Sequence, residues 1–133
     1  MLLFAKNEWE SEIDEELNYE IKSGIMKARE LLKRRSKTTA VLCVNDMVAF
    51  GLIRELRSHR IRVPQDVSVI GFDDIPFAAM FSPALTTIQC PAIEIGQLAA
   101  QLLKQQMNGI MGSGFEMKLG ARLIERESTS KIS

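Results

Sequence analysis

Two adjacent polar pairs hold most of the chemistry this chain could do: Asn45-Asp46 and Asp73-Asp74. Each pair directly follows a short apolar run. An amide beside a carboxylate can donate to and accept from several hydroxyls, which is what a polyol or sugar-like ligand demands. Neighbouring residues of an extended chain face opposite ways, so one member of each pair can point into a shared site. Asn45 and Asp73 are the expected ligand-binding members. Asp46 and Asp74 are the expected supporting residues, at a helix start or beneath the site. A plainer use competes, because Asn and Asp after a strand commonly cap helices and form turns. For Asn45 both uses stay open. For Asp73-Asp74 the site reading gains ground, since adjacent carboxylates repel and one cap needs only one of them.

Other groups offer little to a catalyst. The sole histidine, His59, stands between Arg57 and Arg60 near an expected helix end, with no nucleophile in a recognisable motif. There is no glycine-rich phosphate loop, no GxSxG elbow and no metal-ligand spacing, so neither a cofactor nor a metal is expected. The trio Asp46, Asp73 and Asp74 suggests Mg²⁺ and phosphoryl transfer, but carboxylates sharing a metal from one strand should alternate, and these are adjacent. Cys43 and Cys90 form no CxxC pair, and Cys43 sits in the apolar run Val41–Val44 as a buried thiol would. A disulfide framework is not expected, which suits a reducing cytoplasm.

The elements that must position these residues follow from periodicity. Ile21, Ile25, Ala28, Leu31 and Leu32 recur at helical spacing within 19–35. Residues 39–44 are a continuous apolar run of strand length, which reads as a strand buried on both faces. A helix over 46–58 follows, with Asn45 as its N-cap, then a connection through Pro64. Residues 67–72 form a second strand, 76–81 a short helix or turn, and 85–89 a third extended piece. Pro91 and Glu94 suit the start of a helix over 92–107. A glycine-containing loop over 108–114 leads to an alternating, more exposed strand over 115–124. Strand, helix, strand with short links is the signature of a parallel sheet with helices on both faces. In such sheets ligands bind beyond the carboxyl ends of the strands, where both polar pairs fall.

Charge and composition narrow the partners. The 133 residues are 46% hydrophobic and 26% charged, with 17 basic against 17 acidic side chains. A chain that grips nucleic acid by itself carries a basic surplus, because phosphate neutralisation supplies most of the non-specific affinity. The local run Lys33-Arg34-Arg35 is better suited to a helix C-terminus. The apolar start at 1–5 is interrupted by Lys6 and Glu8 too soon for a signal peptide, and no run approaches the roughly twenty apolar residues of a membrane span. A soluble, cytoplasmic protein is expected.

Several segments resemble LacI/GalR-type (lactose- and galactose-repressor-like) transcription regulators. Thr39 to Asp46, with Ala49 and Gly51 beyond, is similar to the family segment that ends a strand in Asn-Asp. Val63-Pro64-Gln65-Asp66-Val67-Ser68-Val69-Ile70-Gly71-Phe72-Asp73-Asp74 resembles its best-known signature. Pro83 to Ile88, then Gly96 and Ala99, then Leu123-Ile124 with Arg126 to Thr129 follow in the family's order. The match runs from about Tyr19 to Thr129, and the first eighteen residues fit only loosely.

The resemblance implies a periplasmic-binding-protein-like effector domain of two lobes, here incomplete and mostly the C-terminal lobe. It divides the chain into 1–88, part of that lobe, 89–114, a crossover and a helix that belongs to the other lobe, and 115–133, a closing strand and tail. It assigns effector binding to Asn45 and Asp73, in line with the strand-end argument. It adds Tyr19 as an aromatic residue against the ligand, with Trp9 as a substitute, and Phe50, Met80 and Phe81 as a dimer interface. Tyr19 packed on the lobe, and the other three as ordinary core, are the plainer readings. The expected protein is the sugar-like-effector-sensing and dimerising part of a regulator, not an enzyme, that reaches DNA only through an N-terminal helix-turn-helix absent here. Alternatives are a sugar-binding component of an uptake system and, third, a Mg-dependent phosphoryl-transfer enzyme. The helix over 92–107 carries Ile95, Leu98, Ala99, Leu102 and Leu103 on one face. Leaving that face in water forgoes roughly 1.5–3 kcal/mol per large side chain, so it is expected to find a partner, either within the chain or in a second copy.

Overall fold

The computed structural model describes residues 2–5, 8–11, 20–34, 37–109, 114 and 116–131. Tyr19 lies outside them. The elements in chain order are β1 (Leu2–Ala5), β2 (Glu8–Ser11), α1 (Ile21–Lys33), β3 (Thr38–Leu42), α2 (Asp46–Ser58), β4 (Ser68–Phe72), α3 (Phe77–Met80), β5 (Thr86–Gln89), α4 (Ala92–Met107) and β6 (Arg122–Ile124). One sheet has the order β2-β1-β3-β4-β5-β6. Its centre is parallel: Val41 lies opposite Val69 on β4, and Ile70 lies opposite Thr86 on β5. At one edge β1 and β2 form an antiparallel hairpin, and β1 runs antiparallel to β3. That hairpin was not expected from a segment that carries no family motif.

Contacts divide the chain into two compact units, 1–89 with 123–133 and 90–122. In the first, the core is built from Val41, Val48, Ala49, Leu52, Ile53, Val69 and Leu85, all nearly inaccessible. Helices α1 and α2 pack closely. A Cβ at Gly51 would fall 1.9 Å from the Ile21 carbonyl oxygen, and one at Gly24 would fall 2.0 Å from that of Val48. Glycine at both positions lets the two backbones touch. Burial alternates along β4, with Val69 and Gly71 buried between half-buried Ser68, Ile70 and Phe72. One face of this strand is therefore better covered than the other, and the same holds over 40–44, where Val41 and Cys43 are buried between half-buried Ala40, Leu42 and Val44 although that run reads as buried on both faces.

In the second unit, α4 spans the expected residues but buries none of them. Ile93, Ile95, Leu103 and Met107 are exposed. The expected strand over 115–124 is corrected to Arg122–Ile124. Residues 116–121 join no ladder, and Glu116, Met117 and Lys118 are exposed. Alternation fits an extended chain, but a strand also needs a neighbour for its backbone groups.

Candidate functional site

The site is assembled at the carboxyl ends of adjacent parallel strands β3 and β4. Asn45 takes an extended conformation and its Oδ1 accepts from the Val48 N–H at 2.9 Å. It is therefore the N-cap of α2, and this role fixes the amide at the strand end. Asp46 points the other way and is 1% exposed. Its Oδ1 accepts from the Thr87 hydroxyl at 2.6 Å and its Oδ2 from the Ile75 N–H at 2.9 Å. One carboxylate thus ties α2, β5 and the segment after β4 together. Gly71 makes room for it, since a Cβ there would lie 2.2 Å from Asp46 Oδ1.

The second pair is split in the same manner. Asp73 has φ of 111° and Asp74 φ of 54°. Two consecutive non-glycine residues with positive φ are costly, of order 1–3 kcal/mol each, and such strain clusters at functional sites. The Asp73 N–H donates to the Ile88 carbonyl at 2.9 Å, which leaves its exposed side chain beyond the sheet. Its carboxylate forms no hydrogen bond or ion pair with other described residues. Partial burial, then the nearby Asp46 charge, raise its pKa above the ordinary value. Asp74 instead pairs through Oδ1 with Arg126 Nη2 at 2.7 Å and through Oδ2 with Gln89 Nε2 at 2.7 Å.

The geometry therefore separates the four residues, through a helix start and a positive-φ turn and not through extended-chain alternation: Asp46 and Asp74 are engaged within the protein, and the Asp73 carboxylate has no partner among the described residues. Asn45 serves as a cap whatever else it does. Sequence reasoning gave no role to Thr87, Gln89 or Arg126. The adjacent Thr86 and Thr87 of β5, both buried, are the one legible signal, since a buried hydroxyl must find a partner. Among the described residues no group of three or more His, Cys, Asp and Glu side chains could hold a metal. With Asp46 and Asp74 engaged elsewhere, the three carboxylates of the phosphoryl-transfer alternative do not converge.

The three residues given to a dimer interface fall together. Phe50 is buried, 3% exposed, and stacks on Phe81 at 4.6 Å and edge-on to Phe77 at 5.2 Å. With Met80, 72% exposed, they line an open apolar groove of about 540 Å³. Phe77, half exposed, is the member that sequence reasoning missed. Trp9 lies on β2, away from the described helices in sequence, and Tyr19 has no described position.

The described residues thus form an open α/β sheet, parallel at its centre, with one carboxylate that has no partner among them and one fixed amide at its strand ends. The chain belongs to the periplasmic binding protein-like domain family, whose model matches residues 4–129. The HTH-type transcriptional repressor PurR of Photorhabdus laumondii is 37% identical over 123 residues, covering 92% of this chain and 35% of that protein. A LacI family transcriptional regulator from Enterococcus faecium, solved with bound ribose, superposes with a TM-score of 0.76 at 34% identity, over 87% of this chain and 42% of its own. The lac repressor dimer bound to operator and the anti-inducer ONPF gives 0.78 at 30%, over 84% and 39%. The resemblance drawn from the motifs is borne out, as is the α/β periplasmic-binding-protein-like fold. The chain spans little more than a third of the length of the relatives it matches. No helix among the described residues is long and apolar enough to cross a membrane.

Proposed function

We propose that this chain is the effector-sensing and dimerising part of a LacI/GalR-type transcription regulator, and that it senses a sugar-like molecule without catalysis. The observation that carries the reading is the carboxylate of Asp73, which has no partner among the described residues at the strand end while Asp46 and Asp74 are both engaged. Asn45 is its partner in the site, with its amide held at the end of the adjacent strand. Similarity to a regulator solved with ribose supports a polyhydroxylated ligand. The relatives are repressors, which favours a cytoplasmic sensor over an uptake component or a phosphoryl-transfer enzyme.

The working division is 1–88 as C-terminal lobe, 89–114 as crossover and helix, and 115–133 as closing strand and tail. One wall of a two-walled cleft makes only part of the contacts, so affinity is expected to be weak. Tyr19 is retained as the aromatic contact to the ligand. Phe50, Met80 and Phe81, joined by Phe77, form the surface proposed to meet a second copy. DNA would be reached only through a domain outside this chain.

Saturation-transfer NMR with D-ribose tests the reading. The expected result is a ribose signal that disappears in Asp73→Ala and weakens in Asn45→Asp, which keeps the helix cap but loses the amide donors. Equal signals from all three proteins would refute the assignment.

A further inference from the structure

We propose that Arg126 and Gln89 are positioning residues for the Asp73 carboxylate, acting through Asp74; this rests on the reading of Asp73 as a ligand residue. Asp73 and Asp74 occupy consecutive left-handed conformations, with φ of 111° and 54°. Such a turn keeps one shape only where its surroundings over-determine it. Asp73 is held through its N–H, which donates to the Ile88 carbonyl, and the side-chain bonds act on Asp74. Arg126 Nη2 holds one carboxylate oxygen and Gln89 Nε2 the other, each at 2.7 Å. The ion pair is largely buried, with side-chain exposures of 19% for Arg126 and 11% for Asp74.

Arg126 is itself fixed at two further points. Its Nη1 donates to the Leu85 carbonyl at 2.8 Å, and its backbone N–H donates to Thr86 Oγ1 at 2.9 Å. Its guanidinium therefore spans from the start of β5 to the turn after β4, and Gln89 closes the bracket from the end of β5. A planar, always-charged fork reaches the two acceptors from two separate nitrogens, where a lysine offers only one. The result is an asymmetry across one peptide bond. Asp74 has both oxygens fixed within the protein, whereas Asp73 keeps both free at an orientation it did not choose.

The two donors also occupy telling places in the chain. Gln89 is the last residue of the first compact unit before the chain leaves for 90–122, and Arg126 follows soon after its return at Leu123. The turn that bears Asp73 is thus held by both passages of the chain between its units.

The test uses the 15N-labelled chain and amide hydrogen exchange, with D-ribose as probe. The Asp73 N–H, bonded to the Ile88 carbonyl, reports the turn; the Cys43 and Leu52 amides report the core. In Arg126→Ala and in Gln89→Ala, Asp73 should exchange about tenfold faster while Cys43 and Leu52 keep their rates. Arg126→Lys, which restores charge but not the fork, should recover part of the protection. The shift that millimolar D-ribose induces at the Asp73 amide should shrink in the alanine variants. Unchanged exchange at Asp73, or an equal acceleration of every amide, would overturn the positioning role. If Arg126→Ala fails to fold, Gln89→Ala decides by the same criterion. If the wild-type chain shows no ribose shift but Asp73 is released in the variants, the ligand reading fails and the positioning role stands.

Discussion

Helices α2 and α4 look alike as sequences, each with an apolar stripe at helical spacing, yet they end in opposite situations. Of the thirteen residues of α2, nine are buried, whereas α4 buries none of its sixteen. The first is capped by Asn45, anchored by Asp46 and closed against α1 at Gly24 and Gly51. The second presents Ile95 and Leu103 to solvent. Periodicity determines that a helix forms and which face is apolar; it does not say whether the cover for that face lies in the same unit. Helices in proteins owe most of their stability to such cover, so the fate of α4 depends on company.

The strongest way to break the contrast is at the foot of α2. Asp46→Ala would leave the Thr87 hydroxyl and the Ile75 N–H without their partner in a dry site, at roughly 1–3 kcal/mol for each unsatisfied group. Urea denaturation should show a loss of about 2–5 kcal/mol. A loss below about 0.5 kcal/mol, the range of ordinary surface changes, would mean that Asp46 anchors nothing.

A paired truncation sharpens the comparison. Leu52→Ala, at a site with no exposure, should cost about 2–5 kcal/mol. Leu103→Ala, 59% exposed in the single chain, should cost under about 0.5 kcal/mol at high dilution. If the α4 face is covered by a second copy, the Leu103→Ala cost will grow with protein concentration, and light scattering will show the wild-type dimer persisting further on dilution than the variant. A cost of about 2–5 kcal/mol at every concentration would place the cover of α4 inside the chain, and one below about 0.5 kcal/mol at every concentration would mean that the face stays uncovered.

The cysteines divide along the same line. Cys43 is buried on the first unit and its thiol is pushed up to about 12, chiefly by desolvation. At pH 8 only about one molecule in ten thousand would carry that thiolate. Half-buried Cys90, in the second unit, should be the one thiol that a disulfide reagent titrates in the native chain, with both titrating in denaturant. Two fast-reacting thiols in the native state would show that the first unit opens.

The smallest effect is acid sensitivity in the loop after α2. Asp66 accepts from the Arg62 guanidinium at 2.6 and 2.9 Å and from its N–H at 2.7 Å, which lowers its pKa from the ordinary 3.8 to about 2. A carboxyl held below its unfolded value stabilises the native state above that value, and the gain is lost as pH falls through the folded one. The wild-type advantage over Asp66→Asn in urea should therefore be full above pH 3.8 and fade toward pH 2. An advantage that stays constant across this window would mean the pair is not formed in solution.

Much of this was legible because each element carried its own local signal. Asn45 announced the start of α2 by cap chemistry, and the helices over 46–58 and 92–107 fell where periodicity put them. The split within Asp73-Asp74 arises at a turn with positive φ at both residues, which extended-chain alternation does not describe and no local signal announces. The rest depended on contacts distant in sequence. Nothing local marks Arg126 as the partner of Asp74, fifty-two positions earlier, or Thr87 as the partner of Asp46. The β1–β2 hairpin was missed because no turn dipeptide or motif flags it. The strand over 115–124 was overextended because alternation cannot tell a strand from an extended chain with no neighbour.

The central claim is that Asn45 and Asp73 form one wall of a small-molecule site. The most direct test is an 1H–15N NMR titration of the chain with D-ribose. The account predicts shifts concentrated at residues 43–48 and 72–75 and abolished in Asp73→Ala. Shifts centred instead on the arginine-lined cavity at Arg57, Arg60 and Arg62, or no shift at the strand ends at any concentration, would contradict it.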